Sequence, residues 1–370
     1  MRLLYISSID YRFAVRQRPQ HFGELLSQWH TVDFISLTDW YALSQIITRK
    51  QKFIERKHCS NLHIHYVLRL PLNRLGVIFN LNNLIKKYIL WLLLRKNKYD
   101  YIILTNPIDY KLLPKKIYSK LVYDCIDKMD TFIKNKNIKT IVNQAEQELT
   151  KKATFVTCVA EALKIYLNRY RNEVTVIKNG VNLELFKNIS QQNTDKIKKS
   201  TSYKLGFIGA IADWVNIDFI KDIAKRLPNI QFYFVGPLIS YSSKDIENSK
   251  NIFYLGVKPQ KDIPALINNF DICLLPFKIS DVSKYSNPVK IYEYLAMGKP
   301  VLARYWSELK NEFGDLLYYY DNNLEFIELV QKIINTGEPS ELIEKRQQFA
   351  SQNSWEGKIK QFNKLLEKFQ

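Results

Sequence analysis

The chain is short of several things, and each shortage removes a class of protein. Only 11 of its 370 residues are glycine, and 46% are hydrophobic against 25% charged. That composition excludes a disordered or low-complexity chain, and the length allows two domains with separate cores. Cysteine is scarce: Cys59, Cys125, Cys158 and Cys273 show no CxxC spacing, and three of them fall in apolar strand-like runs. Buried thiols in a reducing cytoplasm fit this better than a disulfide framework. The longest apolar run, Tyr88–Leu94, is too short to span a bilayer, and Met1-Arg2 leads directly into a strand pattern, so no secretory leader is expected. No GxGxxG follows the first strand, which excludes a dinucleotide fingerprint there. No DxD triplet of the kind that holds a divalent cation occurs anywhere.

Acidic residues are scarce in one half only. Residues 1–180 hold 30 Lys/Arg against 14 Asp/Glu, whereas residues 181–370 hold 25 against 22, out of a formal net charge of +19. One half therefore faces something anionic. No helix-turn-helix, zinc or aromatic-platform motif accompanies the charge, so an anionic membrane surface is a better partner than nucleic acid. A lysine-rich genome would be a second source of the excess.

Strand patterns alternate with helical ones along the whole chain. Arg2–Ser7, Thr31–Leu37, Leu62–Leu68, Tyr99–Thr105, Leu121–Asp127, Phe155–Val159 and Val174–Ile177 read as strands, and residues 38–60 as irregular or helical. A second series follows with Tyr203–Gly209, Gln231–Val235, Asn251–Leu255, Asp271–Phe277, Pro300–Ala303 and Leu316–Tyr320. Such runs suit parallel sheets covered on both faces, an α/β fold. His63 and His65 share one strand face, a spacing open to a metal, but only Cys59 lies near enough in sequence to join them; a structural strand is the expectation. A helix over Leu81–Lys98 carries Leu81, Leu84, Ile85, Tyr88, Trp91 and Leu92 between Lys86-Lys87 and Arg95-Lys96. It reads as a core helix, or as one lying in a membrane interface, and core packing is expected. Residues 187–202 are polar and lysine-rich, an exposed linker.

The stretch Tyr285–Val301, YSNPVKIYEYLAMGKPV, carries the densest signal. Asn287 suits a helix N-cap, Pro288 the first helical position and Gly298 the stop. Lys290 and Glu293, three residues apart, share a face near the helix start. A lysine there opposes the positive end of the helix macrodipole, a conflict that a bound phosphate would relieve. The plain alternative is a surface Lys290–Glu293 ion pair.

This stretch resembles the nucleotide-sugar signature of GT-B glycosyltransferases, two-domain enzymes of bacterial cell-surface polysaccharide synthesis. Similar family segments are RPQH at Arg18–His21, YDCID at Tyr123–Asp127, NGV at Asn179–Val181 and the GAIADW loop at Gly209–Trp214. The resemblance implies two Rossmann-like domains with parallel sheets facing a central cleft: 1–187 on the acceptor side, a linker at 188–202, a nucleotide-sugar domain at 203–353, and a helix at 354–370 returning to the first domain. It implies that Glu293 accepts the two ribose hydroxyls and that Lys290, Asn287 and Gly209 lie by the diphosphate. The turn at Val257 would hold the base, with an ordinary βα turn as the alternative. Arg18 and His21 would face the acceptor or the phosphates; otherwise Arg18 is solvated and His21 packs on the sheet edge. Asp127 lies where an inverting polysaccharide glucuronosyltransferase of similar architecture places its catalytic base; otherwise it caps a helix, and Asp124 is a buried structural partner. Many retaining relatives carry a second glutamate where this chain has Tyr285, which leaves the stereochemistry open.

The expectation is transfer of a sugar from a nucleoside-diphosphate sugar to a glycan acceptor, lipid-linked, at the cytoplasmic face of a membrane. No metal or cofactor is expected, because positive side chains and helix dipoles can neutralise the leaving diphosphate. Two other readings stay open: a non-catalytic membrane- or nucleic-acid-binding protein on a degenerate GT-B frame, and a nucleotide-sugar epimerase of related fold.

Overall fold

The computed structural model describes the chain except residues 8, 14, 37–53, 57–60, 66, 68–75, 115–118, 188–201 and 247–248. Two compact units result. The first holds Met1–Phe13, Gln17–Lys178 and Ile359–Gln370, and the second holds Ala14–Arg16 and Asn179–Lys358. The division falls at Lys178 rather than at 187. Val181 and Phe186 explain the shift, because both are buried in the hydrophobic core of the second unit. The expected linker, 188–202, lies almost wholly outside the described residues. The last helix, Trp355–Lys368, starts in the second unit and ends in the first.

Among its described residues the first unit carries an eight-stranded sheet. Its strands are β1 (Arg2–Ser7), β2 (Thr31–Ser36), β3 (Ile54–Arg56), β4 (Leu62–His65), β5 (Tyr101–Leu104), β6 (Lys120–Cys125), β7 (Phe155–Cys158) and β8 (Val174–Val176), in the order β3-β4-β2-β1-β5-β6-β7-β8. Every pairing is parallel except β3 with β4. Strand β3 falls in the stretch expected to be irregular or helical. Central strands such as Leu3–Ile6 and Tyr101–Leu104 are fully buried, as a parallel sheet covered on both faces requires. Cys125, Cys158 and Cys273 are buried free thiols, and Cys59 lies outside the described residues.

The second unit repeats the scheme with β9 (Lys204–Ile208), β10 (Gln231–Val235), β11 (Ile252–Tyr254), β12 (Ile272–Leu275), β13 (Val301–Arg304) and β14 (Tyr318–Tyr320). Their order is β11-β10-β9-β12-β13-β14, all parallel. From β9 the chain moves outward to β10 and β11, then returns to place β12 on the other side of β9. The strand order therefore reverses between β9 and β12. In open α/β sheets, the crevice outside the strand ends at such a reversal is where ligands bind.

Helix Gly76–Lys96 departs from expectation. Asn82 and Leu90 are buried, but Leu81, Leu84, Tyr88 and Trp91 are 43%, 61%, 60% and 42% exposed. These four were expected to pack in the core. Among the described residues no helix is long and apolar enough to cross a membrane.

Candidate active site

The second unit builds its site on that reversal. Strand β9 is followed by Gly209, whose φ of +147° lies in the region that favours glycine. A side chain there would also meet Lys290, since a Cβ would sit 2.6 Å from both its Cε and its Nζ. Lys290 belongs to helix Val289–Ala296, fixed against β9 by Tyr294, whose hydroxyl accepts the Ile208 N–H at 2.8 Å. One turn earlier on that face, Lys290 Nζ lies 4.7 Å from the ring centre of Phe207, on β9, and 4.9 Å from that of Phe277, just beyond β12. The ammonium thus rests on aromatic faces at the carboxyl ends of the two strands that flank the reversal.

Lys290 and Glu293 make no ion pair within 4 Å, so the plain reading of a surface salt bridge fails. Glu293 Oε1 instead accepts from Gln260 Nε2 at 3.2 Å. Burial pushes the Glu293 carboxyl up to about 7, against the pull of that hydrogen bond and of the Lys290 charge. Burial draws Lys290 down to about 8, partly offset by Glu293. An acid and a base, both half-buried and both costly to keep charged, stand side by side without neutralising each other. Such groups are found where a ligand completes the charge balance.

Val257 follows Gly256, whose φ is +73°, and is 47% exposed, a turn open to solvent two residues before Pro259. Asn287 serves differently from expectation. The helix begins at Val289 with Pro288 in the cap position, and Pro288 brings no side-chain hydrogen bond. Asn287 Oδ1 accepts the Asn179 N–H at 2.8 Å and the Tyr292 hydroxyl at 3.1 Å, and its carbonyl accepts Asn179 Nδ2 at 2.6 Å. Through its two oxygens it ties the start of this unit to the helix, and its Nδ2 takes no part in these bonds. Gln260, Phe207 and Phe277 were not singled out from sequence. The two phenylalanines fall in buried-strand patterns and read as core, and Gln260 carries no spacing signal.

In the first unit, Arg18 is not solvated. It is 2% exposed, with Nε and Nη2 each donating to Asp124 at 2.9 Å and Nη1 donating to the carbonyl of Ile177 at 2.7 Å. Its guanidinium carbon lies 4.0 Å from the Phe22 ring centre. Asp124 also accepts from Thr157 at 2.7 Å, so this carboxylate is the structural partner and Arg18 its counter-ion. His21 is buried in the same helix, Arg18–Leu26.

Asp127 is different. It lies two residues past the end of β6 and caps no helix; Lys128 takes that position ahead of Met129–Phe132. No hydrogen bond or ion pair engages its carboxyl group, and burial pushes it up to about 7. His63 and His65 turn onto one carboxylate, Asp33 of the neighbouring strand, at 3.3 and 2.7 Å, alongside Arg2 and Tyr99. Among the described residues no group of three or more His, Cys, Asp or Glu could hold a metal ion.

Residues 217–364 match the family model described as Glycosyl transferase-like. TuaH of Bacillus subtilis (strain 168), provisionally named a teichuronic acid biosynthesis glycosyltransferase, is 25% identical over 265 residues, 67% of this chain and 66% of that one. Of solved structures, sucrose-phosphate synthase from Thermosynechococcus elongatus aligns with a TM-score of 0.76 at 14% identity, covering 99% of this chain and 98% of that one. Anabaena Alr3699/HepE, solved in complex with UDP and glucose, aligns with a TM-score of 0.70 at 14% identity over 99% of each chain. The fold is GT-B, and residues 217–364 are similar to a glycosyltransferase family model.

Proposed function

We propose that the protein transfers a sugar from a nucleoside-diphosphate sugar to a glycan acceptor carried on a lipid, at the cytoplasmic face of a membrane. The observation that carries this reading is the half-buried, mutually unpaired Lys290 and Glu293 beside Gly209, at the strand-order reversal of the second sheet. Two acceptor oxygens on Glu293 suit a vicinal diol such as a ribose. The Lys290 ammonium, at the start of its helix, suits the diphosphate and the charge that builds on it as the glycosidic bond breaks. With that charge met by side chain and helix, donor binding needs no metal, and a chelator should leave it unchanged. Anabaena HepE, of the same fold, was solved with UDP.

Asp127 supplies the acceptor-side chemistry in this reading. A carboxyl held at about 7 and free of hydrogen bonds is matched to removing a hydroxyl proton near neutral pH. Asp127→Asn should lower transfer by about 10²–10⁴-fold while leaving nucleotide binding intact. A product of inverted anomeric configuration supports this role, and a retained one removes it.

The donor site is tested by thermal shift against UDP-, GDP-, ADP- and dTDP-sugars. Stabilisation by one of them, lost in both Lys290→Ala and Glu293→Ala, is the expected result. Product formed from donor alone, without acceptor, would favour an epimerase.

A further inference from the structure

We propose that the exposed face of helix Gly76–Lys96 is a docking surface for an anionic lipid bilayer, with the head of the neighbouring helix Lys136–Lys152 beside it. Leu81, Leu84, Tyr88 and Trp91 are spaced three, four and three residues apart, so they form one stripe along the helix. All four are more than 40% exposed, while Asn82 and Leu90 on other faces are buried. An apolar stripe pointing away from the sheet is the reverse of ordinary helix packing, and it needs a cover of its own.

The charge around the stripe says what that cover is. The helix has four basic residues and no acidic one. Lys87, Arg95 and Lys96 are exposed, and the Arg95 guanidinium lies 5.0 Å from the centre of the Trp91 ring, which stacks on Tyr88 at 5.9 Å. Aromatic rings with an apolar body and a polar edge, beside basic groups on flexible stems, suit the boundary between acyl chains and headgroups.

The sheet topology brings a second patch to the same side. Helix Gly76–Lys96 connects β4 to β5 and helix Lys136–Lys152 connects β6 to β7, both progressing in one direction across the sheet, so right-handed crossovers place them on one face. Helix Pro107–Tyr110 packs against the second of them, and its Asp109 feels the charge of Lys86 on the first. At the start of the second helix, Ile138 and Ile141 are 47% and 54% exposed beside the exposed Lys134 and Lys136. Charge argues against other covers. A second copy of this chain would set one basic face against another, and a nucleic acid would leave Leu81 and Leu84 in water.

This inference rests on the reading that the acceptor is borne by a lipid, but vesicle binding needs neither donor nor acceptor and so is tested separately from catalysis. The full chain is floated with vesicles of phosphatidylcholine alone and with vesicles containing phosphatidylglycerol, alongside the thermal shift with nucleotide on the same samples. Flotation with the anionic vesicles only is expected. Lys87→Gln and Arg95→Gln should each weaken it about fivefold. The pair Leu84→Ser/Trp91→Ser should abolish it with melting temperature and nucleotide response unchanged, and Leu324→Ser, at an exposed leucine of the second unit, should have no effect. Undiminished flotation of the stripe variants overturns the proposal, as does wild-type protein that stays unbound. So would a stripe that, when replaced, breaks up a dimer or removes RNA binding instead.

Discussion

Glu293→Gln should make the free protein more stable while destroying its donor site. A carboxyl raised from 4.5 to about 7 holds its proton more tightly in the folded chain than in the unfolded one. Stability is therefore full below about 4.5 and falls as pH climbs towards 7, where the carboxylate must stand charged in a desolvated place. At roughly 1.4 kcal/mol per pKa unit the cost is about 3 kcal/mol at most. Glutamine keeps the shape and can still meet Gln260, but carries no charge to desolvate. Lys290 then loses a favourable neighbour, which cancels part of the gain and leaves about 1–2 kcal/mol above pH 7. For a unit of this size that corresponds to roughly 3–6 °C in melting temperature. The assay is a pair of melting curves at pH 4.5 and pH 8, with and without nucleotide-sugar. The variant should gain at pH 8, gain nothing at pH 4.5, and lose at pH 8 the nucleotide-induced shift, which protonation of Glu293 already weakens in wild type at pH 4.5. A variant that melts below wild type at pH 8, or a difference independent of pH, would make Glu293 a structural anchor and refute the reasoning.

Three further outcomes follow from the same geometry. Donor binding, followed in a titration series across pH, should weaken as pH falls below about 7, where Glu293 takes a proton, and again above about 8, where Lys290 loses one. Asp124→Asn should cost the first unit about 3–5 kcal/mol in urea unfolding, because it strands the buried Arg18 guanidinium. Gly209→Ala should weaken nucleotide binding by at least about tenfold in calorimetry, since its φ is strained for alanine and its Cβ would press on the Lys290 side chain.

Much of the frame was legible because buried parallel strands announce themselves as short apolar runs, and Arg2–Ser7 and Gln231–Val235 fall where the pattern put them. The helix from Val289 was legible for another reason, since proline before it and glycine after it are local signals. Failures arose where a residue's partner is distant in sequence. Arg18 gives no hint that Asp124 waits 106 positions on, and Asn287 none that Asn179 will take both its oxygens. Helix Gly76–Lys96 misled in the opposite way. Its apolar positions have the period of a packed helix, and period cannot say whether protein or something else covers them. In the proposed donor site, sequence supplied the charged pair but not the Phe207–Phe277 cradle, because a phenylalanine near a strand end looks like any other core residue.

The central claim is that Glu293 reads a ribose diol while Lys290 holds the diphosphate. It is tested most directly by calorimetric titration of wild type and Glu293→Gln with UDP, GDP, ADP and CDP, each beside its 2′-deoxy counterpart. One ribonucleotide should bind wild type at least about tenfold more tightly than its deoxy form, the worth of a hydrogen bond to a charged group, and the variant should not distinguish the two. Equal affinities for both forms in wild type, or discrimination that survives in Glu293→Gln, would contradict it.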